Sequence, residues 1–179
     1  MEFRTIVADP PWDYDGDKKR HPGRSPRKLP SDYYPCIKMS RLIEMDVESL
    51  AAKNSHIYIW CTVAFVEEAH QLARAWGFSP KSVLTWAKES YGVGWYFRGQ
   101  TEHLVFGIRG SLPIDRSVRV STLFTAPKLR HSEKPLIAYK IIEHVSTGPR
   151  LELFARQPRD GWSVWGNEVQ NDVELIVPS

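Results

Sequence analysis

Short apolar runs alternate along the chain with segments whose apolar residues recur at helical spacing. Dense apolar runs predict buried strands at residues 3–8, 56–61, 82–87, 102–108 and 151–155, with an edge strand at 118–125. Helical spacing and end signals predict helices at residues 40–52, 65–76 and 134–145. Gly77 ends the second of these helices and Pro135 begins the third. This alternation is typical of an α/β layered sheet with helices on both faces.

Composition limits the class of protein. A chain of 179 residues, 42% of them hydrophobic, can build one compact core, so we expect a single domain over residues 1–179. The first eight residues lack a secretory signal, and no segment approaches the ~20 apolar residues that span a bilayer. We therefore expect a soluble, cytoplasmic protein without a membrane partner. Cys36 and Cys61 have neither metal-ligand spacing nor a disulfide framework, which favours reduced thiols and no metal.

Positive charge is concentrated in one short segment, although the net charge is only +3. Between Asp17 and Leu29 lie six basic residues, namely Lys18, Lys19, Arg20, Arg24, Arg27 and Lys28. Two prolines and a glycine interrupt the segment, so it predicts a basic loop rather than a helix. Local positive fields attract polyanions, and contact of Lys18, Lys19 and Arg20 with phosphates is the functional interpretation. The alternative is an ordinary solvated surface segment.

Asp9-Pro10-Pro11-Trp12 follows the first predicted strand directly, at the position where ligands bind in α/β sheets. One reaction that this motif suits is methylation of an adenine amine. Such an amine is a poor nucleophile, so its methylation requires acceptors for its N–H groups and close alignment with an electrophilic methyl. Asp9 and the Pro10 carbonyl can accept these N–H groups, the prolines stiffen the loop, and Trp12 can stack on the base. A plain turn is the alternative. The preceding strand and the basic loop behind the motif favour the catalytic interpretation.

Several segments along the chain, in the same order, are similar to one known protein family. The chain resembles the adenine N(6)-methyltransferases related to the eukaryotic messenger-RNA adenosine methyltransferases, particularly their small bacterial and phage relatives that act on DNA. The segments that resemble this family are residues 6–12, 34–35, 98–103, 107–110, 131–135, 148–156, 161–162 and 166–168. Ordered matches over most of a chain are far more specific than one tetrapeptide.

The resemblance implies a Rossmann-like S-adenosylmethionine-dependent methyltransferase fold with a permuted motif order, in which the catalytic motif precedes the cofactor strand. It implies S-adenosyl-L-methionine as cofactor, with contacts from Asp9, Pro10, Phe154, Arg156, Asn167, Glu168 and the loop ending at Thr101. The sequence departs from the eukaryotic catalytic subunit at three positions. Thr101 aligns with a lysine, and Gln157 and Pro158 replace the histidine and asparagine that follow the aligned arginine.

Other residues are candidates for contacts with the nucleic acid. Tyr33 and Tyr34 could stack on an extruded or single-stranded base, although core packing is an equal alternative. There is no room for a separate recognition domain, so target selection must come from loops 13–33 and 89–100, the second of which contains Arg98, or from a dimer. The resemblance raises the expectation of a homodimer. Glu102 is a further candidate, with a structural ion pair as the alternative.

Lys134 lies at a helix N-terminus, which is unfavourable for a cation and indicates an anionic partner outside the chain. His103 and His131 need no role as bases, because the amine proton becomes acidic after methyl transfer and can leave to water or to Asp9. The sequence thus predicts a DNA adenine methyltransferase. The alternatives are the same reaction on RNA and an inactive nucleic-acid-binding subunit, against which the intact Asp9-Trp12 motif argues.

Overall fold

The structure is a computed structural model that describes residues 1–14, 36–92, 96–115, 117–127 and 133–178. Within these ranges the strands are β1 (Phe3–Ala8), β2 (Ala51–Cys61), β3 (Ser79–Lys88), β4 (Thr101–Arg109), β5 (Leu123–Ala126), β6 (Arg150–Leu153) and β7 (Ser163–Trp165). The α-helices are α1 (Met39–Glu44), α2 (Val66–Ala75) and α3 (Leu136–Val145). Short 3₁₀ turns cover Glu48–Leu50 and Val63–Phe65. In the described ranges no helix is both long and apolar enough to cross a membrane.

The strands form one sheet in the order β5-β3-β4-β2-β1-β6-β7. β1 pairs in parallel with both β2 and β6, and only β4 runs antiparallel to its neighbours. From β1 the chain continues to β2 on one side, whereas from β6 it continues to β7 on the other side. The order therefore reverses between β1 and β6. Ligands of α/β sheets bind at such a reversal, beyond the carboxyl ends of the strands. We call this end of the sheet the carboxyl edge.

Both faces of the sheet are covered, which confirms the expected layered α/β architecture. On one face α2 buries Ala69, Leu72 and Ala73 against β-strand residues such as Ile57. On the other face α3 buries Ala138, Tyr139 and Ile142 among residues such as Trp60. Trp60, Trp76 and Trp86 are fully buried, as their positions in predicted elements indicated. The two apolar layers hold the central strands in place, and their carboxyl ends are thereby fixed relative to one another.

The predicted helix over residues 40–52 is wrong beyond Glu44. α1 ends there, and the Asp46 carboxylate accepts the Ser49 backbone N–H at 3.2 Å, which is a local bond that competes with helical hydrogen bonding. Ala51 already pairs with Phe3 of β1. Strand pairing with β1 therefore overrides the local apolar spacing.

Two differences concern the last strands. The expected strand over residues 151–155 ends at Leu153, because Phe154 adopts a left-handed conformation with φ of 63°. The sequence pattern did not indicate β7, which has only three residues. Such a short run is too brief to display a period, and its pairing with β6 defines it. The edge strand β5 is likewise shorter than predicted and starts at Leu123.

Candidate active site

Asp9 lies at the carboxyl edge, beside the reversal of strand order. Its backbone N–H donates to the Leu153 carbonyl at 3.3 Å, which ties the start of the motif to the end of β6. Pro10 is buried and Pro11 is half-buried. The Pro11 carbonyl accepts the Ile37 N–H at 2.9 Å. The loop is thus anchored on both sides, and this anchoring fixes the direction of the Asp9 side chain.

Four charged side chains at the carboxyl edge are linked by successive ion pairs. The Lys134 Nζ lies 2.8 Å from Asp9 Oδ2 and 3.5 Å from Glu102 Oε2. The other Glu102 oxygen, Oε1, accepts a hydrogen bond from Lys88. We call Lys88, Glu102, Lys134 and Asp9 the charge row. Its signs alternate, so each buried charge has a neighbour of opposite sign, as burial of charge requires.

The charge row shifts the protonation of its members. Burial lowers the pKa of Lys134, but the adjacent Asp9 and Glu102 carboxylates outweigh this effect and raise the pKa above its ordinary value. Burial raises the pKa of Glu102, but Lys134 and Lys88 outweigh it and the pKa lies below its ordinary value. Both groups are therefore charged at neutral pH. Lys134 also lies over the Trp60 ring, 5.3 Å from its centroid, which adds cation–π attraction.

The anion expected near Lys134 is therefore inside the chain. Among the described residues its partners are the Asp9 and Glu102 carboxylates, so the charge of Lys134 is balanced within the chain and does not by itself indicate an external anion. The physical reason is the topology of the sheet. Antiparallel β4 begins at the edge where parallel β1 ends, so Glu102 and Asp9 converge on the segment that precedes α3. Sequence separation conceals this proximity.

The structure also corrects the stacking role expected of Trp12. Its ring is only 5% exposed and stacks on Phe65, with centroids 5.3 Å apart and an interplanar angle of 13°. The indole Nε1–H donates to the Trp60 carbonyl at 2.9 Å. A ring enclosed in this way leaves no face for a base. Trp12 instead anchors the motif to β2.

Replacing Trp12 by alanine is expected to lower the free energy of unfolding by about 3–5 kcal/mol, since it removes a buried aromatic ring. Trp12→Phe keeps the contact with Phe65 but leaves the Trp60 carbonyl unpaired, at an expected cost of about 1–3 kcal/mol. Urea unfolding of both variants measures these losses. If Trp12→Phe impaired methyl transfer while unfolding like the unmodified protein, the anchoring role would be wrong.

Acceptor groups remain available beside the charge row. Within the described part of the chain, Asp9 Oδ2 is bonded to Lys134 and no donor lies on Oδ1. The Pro10 carbonyl accepts the Trp12 backbone N–H at 2.9 Å, and a carbonyl oxygen has two lone pairs. One carboxylate oxygen and one carbonyl can thus each accept an N–H from a ligand. A primary amine on an aromatic ring has the matching two donors.

A second group of expected site residues lies beyond β6 and β7. The left-handed Phe154 directly follows β6, and its ring packs edge-on against Trp165, with centroids 5.4 Å apart. Arg156 and Glu168 are exposed, and their charged groups lie 3.9 Å apart. Asn167 is also exposed. A left-handed non-glycine residue costs roughly 1–3 kcal/mol, and such residues cluster at functional sites.

These residues suit a ligand with hydroxyls, an aromatic base and positive charge. The Glu168 carboxylate and the Asn167 amide oxygen can accept hydrogen bonds from hydroxyl groups, while the Phe154 ring offers an apolar surface. S-adenosylmethionine has ribose hydroxyls, an adenine ring and a sulfonium cation, so the donor set fits it. Their assignment as cofactor contacts stays a prediction.

Gly166 allows the segments after β6 and β7 to touch. A Cβ at this position would lie 2.1 Å from the Ala155 carbonyl oxygen, far inside contact distance. We expect Gly166→Ala to push the segments apart, to destabilise the protein by about 1–3 kcal/mol and to weaken binding of S-adenosylmethionine. Urea unfolding and titration calorimetry measure the two effects. Gly148→Ala is the control, since its nearest atom would lie 3.5 Å away. Equal behaviour of the two variants would contradict this prediction.

The remaining candidates are placed differently. Thr101 is the first residue of β4, which lies three strand spacings, or ~14 Å, from β6. Its hydroxyl forms a hydrogen bond with His103 Nε2 at 3.2 Å. Arg98 is exposed in the connection between β3 and β4. Five expected nucleic-acid contacts, Lys18, Lys19, Arg20, Tyr33 and Tyr34, lie outside the described residues. His131 lies outside them as well.

Sequence reasoning missed two charged residues near Asp9. Lys88 ends β3 and joins the charge row through Glu102. Glu152 of β6 is buried and accepts a hydrogen bond from the Tyr139 hydroxyl at 2.6 Å, and burial raises its pKa. A lysine that ends an apolar strand and a glutamate that interrupts one were the available signals. Neither signal identifies a partner.

The fold and this site together define an α/β protein with a ligand site at the carboxyl edge, at a reversal of strand order. Comparison with known proteins narrows the class. The model of the MT-A70 family matches residues 3–168, and the chain therefore belongs to the MT-A70 family of methyltransferases. This match confirms the family expected from the sequence.

Individual relatives agree with this assignment. The chain is 31% identical to "Type II methyltransferase M.MunI" of Mycoplasma sp, over 97% of this chain and 81% of that protein. It is 27% identical to mouse "N(6)-adenine-specific methyltransferase METTL4", over 93% of this chain and 37% of the relative. It is 26% identical to the "N(6)-adenosine-methyltransferase non-catalytic subunit METTL14" of Xenopus tropicalis, over 73% of this chain and 33% of that relative. The chain thus spans most of the bacterial relative but about a third of these two eukaryotic ones.

Proposed function

We propose that this protein transfers the methyl group of S-adenosylmethionine to the exocyclic N(6) amine of adenine in DNA, in a site-specific manner. The proposal rests on the geometry at Asp9, where a carboxylate oriented by Lys134 lies next to the Pro10 carbonyl at the carboxyl edge. Similarity to a bacterial type II methyltransferase over nearly the whole chain supports DNA as the polymer.

The two acceptors define how the amine is oriented. Asp9 Oδ1 and the Pro10 carbonyl each accept one N–H, so the nitrogen lone pair is directed away from them. As the nitrogen gains positive charge during transfer, both bonds strengthen, which lowers the barrier because the acceptors are already in position. Lys134 holds the carboxylate in this orientation through Oδ2. The amine proton leaves to water or to Asp9.

The cofactor contacts belong to the proposal as well. The residues after β6 and β7, namely Phe154, Arg156, Asn167 and Glu168, would hold S-adenosylmethionine, which supplies the electrophilic methyl when bound. β6 lies directly beside β1, so the group that binds the methyl donor and the group that binds the amine are neighbours. The catalytic motif then precedes the cofactor strand in the chain. Lys18, Lys19 and Arg20 would add phosphate contacts.

The test is transfer of a tritiated methyl group to oligonucleotides of matched sequence, as single-stranded and duplex DNA and RNA, followed by nucleoside analysis. Label in N(6)-methyladenine of DNA is the expected result. Label only in RNA would move the proposal to the alternative polymer. If S-adenosylmethionine did not bind while nucleic acid did, the protein would be an inactive nucleic-acid-binding subunit instead.

A further inference from the structure

The connection between β3 and β4 exposes aromatic side chains. We call residues 89–100 the aromatic loop; all but 93–95 are described. Tyr91 is 76% exposed, Tyr96 91% and Phe97 90%. Among the described residues these are the large aromatic side chains that are exposed. Clustered exposed apolar side chains mark surfaces at which a partner binds, and these three rings lie within seven consecutive positions, residues 91–97.

The base of this loop is fixed to the sheet. The Lys88 N–H donates to the Gln100 carbonyl at 2.8 Å, and the Gln100 side chain donates back to the Lys88 carbonyl at 2.7 Å. Further out, the Gly92 N–H donates to the Gly99 carbonyl, and a Cβ on Gly92 would lie 2.9 Å from that oxygen. The two arms of the loop therefore approach closely and leave the sheet at a defined place.

That place is next to the charge row. Lys88 and Glu102 flank the base of the loop, and Glu102 contacts Lys134, which contacts Asp9. Tyr96 and Phe97 are five or six residues before Glu102 along the chain. The exposed rings thus belong to a loop whose base adjoins the site in which Asp9 faces its ligand.

We propose that the aromatic loop stacks on the bases that flank the target adenine once that adenine has left its own stack. The inference rests on the proposed function, since adenine must leave the duplex to reach Asp9. Removal of one base exposes the faces of its neighbours, and Tyr96 and Phe97 cover these faces. The exposed Arg98 adds positive charge next to the polyanion.

The composition of the surface favours unpaired bases over a second copy of the chain. Aromatic rings beside a cation are the combination that binds single strands, because every base has a face for stacking.

The test compares Tyr96→Ala and Phe97→Ala with Tyr96→Phe and Phe97→Tyr, which retain a ring. Ile176→Ala is the control, since it removes an exposed apolar side chain from the C-terminal segment. Fluorescence anisotropy measures the affinity of each variant for fluorescein-labelled single-stranded DNA at several salt concentrations. We expect about 10-fold weaker binding for each alanine variant. The slope of affinity against salt should stay unchanged, since no phosphate contact is lost.

Affinities of the alanine variants equal to that of the unmodified protein would overturn the inference. So would light scattering that shows a dimer of the unmodified protein and monomers of the alanine variants, since the rings would then form a protein interface. Methyl transfer by the unmodified protein, measured in parallel, separates the two proposals. Methyl transfer by the unmodified protein together with unaffected binding of the alanine variants refutes the stacking inference and leaves the proposed function standing. Weakened binding of the alanine variants without any transfer by the unmodified protein would show that the rings bind single-stranded DNA, but it would refute the proposed function and with it their place beside a target adenine.

Discussion

Replacing Asp9 by asparagine is expected to lower the rate of methyl transfer by about 10²–10³-fold, the loss typical of removing one preorganised polar group from a reacting centre. The carboxylate has two acceptor oxygens, one for Lys134 and one for the amine. Asparagine has only one. If its oxygen faces Lys134, its NH₂ group faces the amine, and two donors meet. If the amide is turned, the NH₂ group faces the ammonium of Lys134.

Single-turnover methyl transfer with tritiated cofactor measures this effect. Asp160→Asn is the matched control, because Asp160 is an exposed carboxylate that is not a member of the charge row. Circular dichroism and thermal unfolding establish that both variants fold. A rate for Asp9→Asn within threefold of the unmodified protein would refute the role of Asp9 as acceptor.

Lys134→Met has the second large expected effect, on stability as well as on transfer. The Lys134 side chain is only 10% exposed and lies between two carboxylates. Its removal leaves Asp9 and Glu102 without their shared cation. Breaking a buried ion pair from one side costs about 3–5 kcal/mol, and we expect the free energy of unfolding to fall by this amount at pH 7.5. Methyl transfer should fall as well, because the Asp9 carboxylate then loses the cation that holds its Oδ2.

The loss should depend on pH with a defined sign. The pKa of Glu102 is lowered in the folded protein, so its contribution to stability is present above its unfolded value near 4.5 and is lost as pH falls through the folded value. Without Lys134 this contribution weakens. The difference in unfolding free energy between the variant and the unmodified protein should therefore persist down to about pH 4.5 and shrink as pH falls below it, through the lowered pKa of Glu102.

Urea unfolding at pH 7.5, at pH 4.5 and at lower pH values measures this dependence. Lys140→Met on the exposed side of α3 is the control, with an expected change within about 0.5 kcal/mol. A Lys134→Met variant as stable as Lys140→Met at pH 7.5 would show that the charge row does not stabilise the fold.

The sequence by itself determined the layered α/β class, the position of Asp9-Pro10-Pro11-Trp12 after a buried strand, and the family. Local patterns suffice for these conclusions, because a buried strand needs a continuous apolar run and a surface helix needs apolar residues at helical spacing. A chain-long series of ordered motifs likewise needs no coordinates to be recognised. β1 was predicted with its observed bounds, Phe3–Ala8, for this reason.

Only the tertiary structure decided what surrounds Asp9. Glu102 and Lys134 are far from it in sequence, and they meet it because antiparallel β4 begins where parallel β1 ends. Trp12 is the last residue of the motif and suggested a stacking surface, yet burial against Phe65 encloses its ring. A one-dimensional pattern gives the type and order of side chains. Which charges are paired and which rings remain exposed depends on strand order, since strand order brings distant residues together.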